Sequence, residues 1–92
     1  MPDRVRVLIR GRVQAVGYRY ATHAQAVARG VTGWVRNCPD GSVEAEFEGD
    51  TDSLEAILQW CEQGPPLARV QEVSTEWSRD VHPTYHRFDI KN

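Results

Sequence analysis

A strand pattern that passes directly into a helical pattern limits the folds open to this chain. Val5, Val7 and Ile9 alternate with arginines, which is the period of a half-buried β-strand. Apolar residues at helical spacing begin at Tyr20, and only the segment Gly11–Arg19 lies between the two patterns. The sequence therefore predicts a strand that turns at once into a helix.

The connecting segment has the composition of an anion-binding turn. Gly11, Ala15 and Gly17 allow a ligand to approach the backbone, and Arg19 adds a permanent charge in the first helical turn. N–H groups at a helix N-terminus favour anions, most naturally a phosphate. An ordinary turn with a surface arginine is the alternative. Neither the Walker spacing nor G-x-G-x-x-G is present, so we expect a phosphoryl group rather than a whole nucleotide.

Two further strands and a second helix are predicted downstream of the first helix. Gly30 ends that helix, and a turn at Cys38–Gly41 joins strands over Thr32–Asn37 and Ser42–Glu48. Asp52 and Glu55 have the spacing of a capping box that opens the second helix. The predicted buried stripes are Tyr20, Ala21, Ala24, Val27 and Ala28 in the first helix, and Leu54, Ile57, Leu58 and Cys61 in the second.

The order of these elements predicts the fold class. Gly64–Pro66 ends the second helix, Val70–Trp77 forms a fourth strand, and Arg87–Ile90 forms a short closing strand. We expect an α+β, ferredoxin-like βαββαβ sandwich in one domain over residues 1–92, with an antiparallel sheet and both helices on one face. The first and third strands would then be neighbours. Cross-strand pairs would link Arg4, Arg6 and Arg10 to Glu44, Glu46 and Glu48.

Composition excludes several classes of function. Eleven basic and 13 acidic residues give a net charge of −2, which argues against nucleic-acid binding. No apolar run approaches the roughly 20 residues of a membrane span, and we expect a cytoplasmic monomer. Two cysteines and three histidines without ligand spacing predict no disulfide and no metal site.

A second segment brings a polar side chain towards the turn. Asn37 ends the predicted second strand, which the hairpin carries alongside the sheet near residues 14–19. Its amide both donates and accepts hydrogen bonds, so it can orient a water molecule. The residues alone favour another role, in which Asn37 is a turn residue that satisfies the backbone of Pro39 and Asp40.

Together the two segments resemble the signatures of the acylphosphatase family. Gly11-x-Val13-Gln14-x-Val16-x-x-Arg19 is similar to the first signature. The second is matched by Gly33-Trp34-Val35-Arg36-Asn37-x-x-x-Gly41-x-Val43, followed by Gly49. The resemblance implies hydrolysis of small-molecule acyl phosphates to a carboxylate and inorganic phosphate. Inorganic phosphate would also inhibit the enzyme. It implies no cofactor.

The resemblance also implies roles for individual residues. Arg19 would bind the phosphoryl group and Asn37 would position the attacking water. The phosphate-binding residues would be Gln14, Ala15, Val16, Gly17, Tyr18 and Arg19. Family members usually have glycine at position 15 and most often phenylalanine at position 18. We expect a negative φ at Ala15, because Gly17 can absorb the sharp bend.

Two other classes of function remain as alternatives. A non-catalytic anion-binding or regulatory module on the same fold would bind phosphate without turnover, and only Ala15 favours it. An RNA-binding ferredoxin-like domain would need a basic sheet face with exposed aromatic side chains. Alternating arginine and glutamate on the outward positions disfavours that reading.

Overall fold

The predicted order of elements is confirmed. A computed structural model describes residues 1–92. The elements are β1 (Asp3–Arg12), α1 (Tyr18–Ala28), β2 (Thr32–Asn37), β3 (Val43–Gly49), α2 (Thr51–Gln63), β4 (Arg69–Ser78) and β5 (Phe88–Lys91). Neither helix has the length and apolarity needed to cross a membrane.

The five strands form one mixed sheet in the order β4-β1-β3-β2-β5. Strand β1 lies antiparallel between β3 and β4, as expected for a ferredoxin-like fold, but β5 runs parallel to β2. The prediction of a wholly antiparallel sheet is therefore wrong at one edge. After β4 the chain crosses to the opposite edge of the sheet, and it enters β5 in the direction of β2.

Both helices contribute to one core on one face of the sheet. Val5, Val7 and Ile9 of β1 are fully buried there, with Leu54 and Ile57 of α2. As predicted, Cys61 completes the buried side of α2, while Leu58 is half-buried. The alternating pattern of β1 thus positions the sheet, and the spacing of α2 positions its helix on that sheet.

The predicted buried stripe of α1 is wrong. The buried residues are Tyr18, Thr22 and Ala26, whereas Tyr20 and Val27 are 70% and 61% exposed. Ala24 and Ala28 are exposed and Ala21 is half-buried. Thr22 tolerates burial because its hydroxyl donates to the carbonyl oxygen of Tyr18 at 2.8 Å. The rotation of α1 therefore follows from the burial of Tyr18 at its first turn.

Helix α2 begins earlier than the predicted capping box. Asp50 is the N-cap, and its carboxylate accepts hydrogen bonds from Ser53 N at 3.1 Å and from Ser53 Oγ at 2.7 Å. Asp52 instead lies inside the first turn. Asp50 and Asp52 are both residue types that commonly cap a helix. Asp50 is the cap because its carboxylate binds both the hydroxyl and the N–H of Ser53.

The predicted charge pairing across β1 and β3 is confirmed for two of three arginines. Arg4 lies 2.8 Å from Glu48, and Arg6 lies 3.0 Å from Glu46. Arg10 extends beyond the paired part of β3, so it lies instead 3.6 Å from both Asp40 and Glu72. Glu44 forms ion pairs with Arg36 at 2.7 Å and with Arg6 at 3.3 Å.

Candidate active site

The loop between β1 and α1 presents a row of free backbone donors. Gly17, the N-cap of α1, is left-handed with φ 79°, and no side chain caps the helix. The N–H groups from Ala15 to Tyr20 donate to no acceptor in the protein. Successive N–H groups in such a turn, beside the positive end of a helix dipole, form an anion-binding concavity.

Ala15 does not have the negative φ expected from the sequence. Its φ is 61°, so the loop contains two left-handed residues, at positions 15 and 17, on either side of Val16. Gly17 alone does not complete the bend. A left-handed alanine costs roughly 1–2 kcal/mol relative to an ordinary conformation, and the loop holds this strain beside its free donors.

A small cavity of about 120 Å³ opens at this loop. Its lining residues are Val13, Ala15, Gly17, Tyr18, Arg19, Tyr20 and Asn37. Residues from the loop after β1, from α1 and from β2 thus meet at one point, and Arg19 and Asn37 line the same space. Sequence reasoning missed Val13 and Tyr20. The exposure of Tyr20 follows from the rotation of α1, which the alanine-rich pattern did not reveal.

Arg19 keeps its charge unpaired at this cavity. Its Nη1 donates to the carbonyl oxygen of Lys91 at 3.0 Å, which fixes the side chain against β5. No carboxylate forms an ion pair with it, in contrast to the arginines of the outer sheet face. An oriented guanidinium without an acidic partner can serve an anionic ligand bidentately.

Gln14 links the loop to the β2–β3 hairpin. Its Nε2 donates to the carbonyl oxygens of Cys38 at 2.8 Å and Ser42 at 2.9 Å. Both N–H groups of the amide are used in this link, so the side chain is not free to donate to a ligand. The link holds the loop against the hairpin whose first strand ends in Asn37.

Asn37 is not needed to close the neighbouring turn. The carboxylate of Asp40 accepts hydrogen bonds from the N–H of Ser42 at 3.0 Å and from its hydroxyl at 2.6 Å. Backbone bonds from Cys38 to Ser42 and from Gly41 to Cys38 complete the turn. The turn reading of Asn37 is therefore not supported, and its side chain lines the cavity instead.

Tyr18 contributes its backbone to the loop and its ring to the core. The ring is 1% exposed, and its hydroxyl donates to the carbonyl oxygen of Cys61 at 2.6 Å. Burial raises the pKa of Tyr18 far above its usual range. Burial also raises the pKa of Cys61 to about 12, which leaves its thiol unreactive at neutral pH. Val16 is half-buried and lines a different cavity.

No three His, Cys, Asp or Glu side chains are grouped so that they could hold a metal ion. The fold and the site together define a class: a small α+β domain whose loop offers free donors of the kind that suit an anion. Its donors are main-chain N–H groups and one arginine, with an asparagine amide alongside.

Comparison with known proteins identifies the family. The sequence profile of the acylphosphatase family matches residues 5–90. The acylphosphatase of Trichormus variabilis is 55% identical over 74 residues, which are 80% of this chain and 73% of the relative. The chain belongs to the acylphosphatase family, whose enzymes hydrolyse acyl phosphates to a carboxylate and inorganic phosphate.

Solved structures have the same fold. The acylphosphatase of Bacillus subtilis superposes with a TM-score of 0.93 at 36% identity, covering 98% of this chain and 99% of the other. An acylphosphatase from Coxiella burnetii superposes with a TM-score of 0.91 at 32% identity, covering 98% and 93% respectively. The similarity thus includes every element of the sheet as well as the two signature segments.

Proposed function

We propose that this chain hydrolyses acyl phosphates by holding the phosphoryl group in the loop while Asn37 positions the attacking water. The row of free N–H groups from Ala15 to Tyr20, beside the unpaired Arg19, carries the proposal. These donors and this charge match the oxygens of a phosphoryl group. Asn37 supplies the amide that can hold a water at the same cavity.

The chemistry requires placement and charge stabilisation more than proton transfer. The water oxygen forms a bond to phosphorus as the bond from phosphorus to the acyl oxygen breaks, in line with the attack. The leaving group departs as a carboxylate, which needs no proton from a general acid. A non-bridging phosphoryl oxygen takes the proton of the water. Arg19 and the loop N–H groups stabilise the charge on the equatorial oxygens.

The same scheme explains why the site needs no general acid, general base or metal ligand among its side chains. No His, Asp or Glu lines the cavity. We therefore propose hydrolysis without a metal or other cofactor, and competitive inhibition by inorganic phosphate. A non-catalytic anion-binding module was favoured only by Ala15, and the left-handed Ala15 has the conformation that a glycine would adopt there. The ion pairs on the outer sheet face likewise leave no basic surface for RNA.

We also propose a cytoplasmic, monomeric protein. Cys38 and Cys61 are both unpaired, which suits a reducing compartment. The few exposed large apolar side chains are Met1, Tyr20, Val27 and Leu67, fewer than a stable dimer interface commonly uses. Sedimentation at micromolar concentration tests the monomer, and a species of twice the mass would contradict it.

Two substitutions separate the proposed roles. Arg19→Ala should weaken substrate binding and also slow turnover, because the charge contacts the phosphoryl group in ground and transition states. Asn37→Ala should lower kcat with little change in KM, because the positioned water matters only for chemistry. Losses on the order of 10²–10⁴-fold are expected in steady-state hydrolysis of a simple acyl phosphate.

The matched control is Arg29→Ala, which removes an exposed guanidinium that binds only Gln25. It should retain the parent kinetics, and the parent enzyme should keep full activity in excess chelator. A rise in KM alone for Asn37→Ala would refute the water-positioning role. Loss of activity in chelator would refute the metal-free scheme.

A further inference from the structure

A second, larger cavity adjoins the phosphate loop. Its volume is about 330 Å³, and Ala15 lines it as well as the first cavity. Val16, Pro66 and Leu67 supply apolar surface, and two arginines, Arg12 and Arg69, supply charge. The two cavities therefore meet at the strained residue of the loop. Asn37 lines only the first of them.

The two arginines are held opposite each other by an irregularity in the sheet. The register between β1 and β4 shifts at Gly11, so Gln71 has no partner on β1 and Arg12 pairs directly with Arg69. Directly opposed residues of an antiparallel pair project from the same face. Gly11 permits this close approach, because a Cβ at that position would overlap the carbonyl oxygen of Arg69.

Neither arginine has an acidic partner. Six arginines of the chain lie within 3.6 Å of a carboxylate oxygen: Arg4, Arg6, Arg10, Arg36, Arg79 and Arg87. A seventh, Arg29, binds Gln25. The remaining three, Arg12, Arg19 and Arg69, all line the two cavities that meet at Ala15. Like charges directly opposed on a sheet are destabilising, so an anion bound between Arg12 and Arg69 would relieve their repulsion.

We infer that this second cavity is a subsite for the acyl group, and that it favours acyl phosphates whose acyl chain carries a second anionic group at its far end. The inference rests on the proposed function. In-line displacement places the leaving group opposite the attacking water, and Asn37 lines the first cavity but not the second. Val16 and Leu67 contact the methylene groups of the acyl chain, and the two guanidinium groups bind the distal carboxylate or phosphate.

The test compares two substrates with four-carbon acyl chains. Succinyl phosphate carries a distal carboxylate, whereas butyryl phosphate ends in a methyl group. The ratio of their kcat/KM values should favour succinyl phosphate by about tenfold, the scale of one charge-assisted contact. Arg12→Gln and Arg69→Gln should each reduce this ratio towards one, while the kcat/KM for butyryl phosphate stays within about twofold of the parent.

A control substitution and three alternative outcomes separate the subsite from the proposed function. Arg29→Gln removes an exposed charge away from both cavities and should keep the parent ratio. A parent ratio near one, or a ratio that survives both substitutions, would overturn the subsite while leaving the hydrolysis intact. An equal loss on both substrates would also overturn it, because the arginines would then act on the loop. Failure to hydrolyse either substrate would refute the proposed function, and the subsite with it.

A third substrate distinguishes the two kinds of distal anion. In 3-phosphonopropionyl phosphate a phosphonate replaces the carboxylate of succinyl phosphate. A higher arginine-dependent ratio for the phosphonate assigns the subsite to phosphorylated acyl groups. The reverse order assigns it to dicarboxylic acyl groups.

Discussion

Ala15 combines local strain with a place in both cavities. Its φ of 61° is unfavourable for any residue with a Cβ atom. Such conformations persist where the surrounding structure holds them, and they concentrate at functional sites. Residues 15 and 17 are both left-handed, and the N–H groups around them donate to no acceptor in the protein. The strain at Ala15 therefore lies next to free backbone donors.

Replacement of Ala15 by glycine should therefore stabilise the protein. Ala15→Gly removes the Cβ contact with the backbone and should raise the free energy of unfolding by about 1 kcal/mol, after the loss from a more flexible unfolded chain. Denaturant titration measures this change, and hydrolysis should persist. Ala24→Gly, at an exposed position inside α1, should lower stability by about 1 kcal/mol instead. Destabilisation by both substitutions would contradict the strain at Ala15.

Individual residues of the site were predictable where chemistry alone decided them. Arg19 was predicted as an anion ligand from its charge and its place in the first helical turn, whereas the role of Asn37 came from the family resemblance, and both line the cavity. The conformation of Ala15 was predicted wrongly, because the sequence does not show how many left-handed residues the bend requires. Gln14 was assigned to the ligand, yet its amide is engaged by two carbonyl groups that lie 24 and 28 residues away. Long-range partners of this kind appear only when the fold is known.

At the scale of elements, the Gln14 link couples the phosphate loop to the hairpin that carries Asn37. Gln14→Met has similar volume and cannot donate. It should lower kcat at least tenfold, because a displacement of about 1 Å at a reacting group costs up to 10²-fold. The stability loss should stay near 1 kcal/mol, since both carbonyl groups keep a backbone donor.

Kinetics and denaturation on the same preparations test the coupling. Gln63→Met, at the exposed end of α2, is the matched control and should resemble the parent in both measurements. Unchanged kcat together with a normal loss of stability would show that Gln14 supports the fold alone. A fall in kcat with unchanged KM is the result expected if Asn37 has moved.

Element types and order were predictable, whereas helix rotation was not. The alternation of β1 and the spacing of α2 both place large side chains on one face. Most apolar residues of α1 are alanines, whose small side chains carry little information about which face is buried. Its buried face is instead defined by Tyr18 and by Thr22, whose polar groups find partners inside the protein. Neither residue belongs to the apolar spacing from which the helix was predicted.

At the scale of the molecule, Asp3 connects three parts of the chain. Its carboxylate accepts hydrogen bonds from Thr51 Oγ1 at 2.6 Å, from the N–H of Asp80 at 2.9 Å and from Arg79 at 3.0 Å. These contacts lower the pKa of Asp3 from 3.8 to about 2. They hold the start of β1 to the start of α2 and to the segment that leaves β4.

This depressed pKa predicts a pH dependence of stability. The stabilising contribution of Asp3 is complete above about pH 4, where the carboxylate is ionised in the unfolded chain too, and it is lost as the pH falls towards 2. Unfolding free energies of Asp3→Asn should therefore fall less steeply than those of the parent between about pH 4 and pH 2. Asp52→Asn, at an exposed carboxylate of α2, should keep the parent slope. Identical slopes for Asp3→Asn and the parent would contradict the linkage.

The crossing from β4 to β5 explains why the sheet was only partly predictable. The buried Glu48 holds this crossing, accepting hydrogen bonds from the N–H groups of Thr84 at 2.8 Å and Tyr85 at 3.2 Å. Burial alone would raise the pKa of Glu48, but these bonds and Arg4 lower it overall. The position of a glutamate in an alternating strand does not predict which distant backbone N–H groups it will bind. That contact holds residues 84 and 85 beside the sheet shortly before the chain enters β5.

The free main-chain donors of the loop have a consequence for how the site tolerates sequence change. Replacing a side chain with any residue other than proline does not delete an N–H group, so the side chain at position 16 can vary while the backbone donors remain. Proline removes a donor but also fixes φ near −65°, so it tests two properties at once. Replacing single amide bonds between residues 14 and 20 with esters by chemical ligation would remove one donor and leave every side chain in place. Substitutions in this loop are therefore limited by the backbone conformation that they must allow. The proposed ligand contacts themselves depend on main-chain N–H groups, which every residue except proline has.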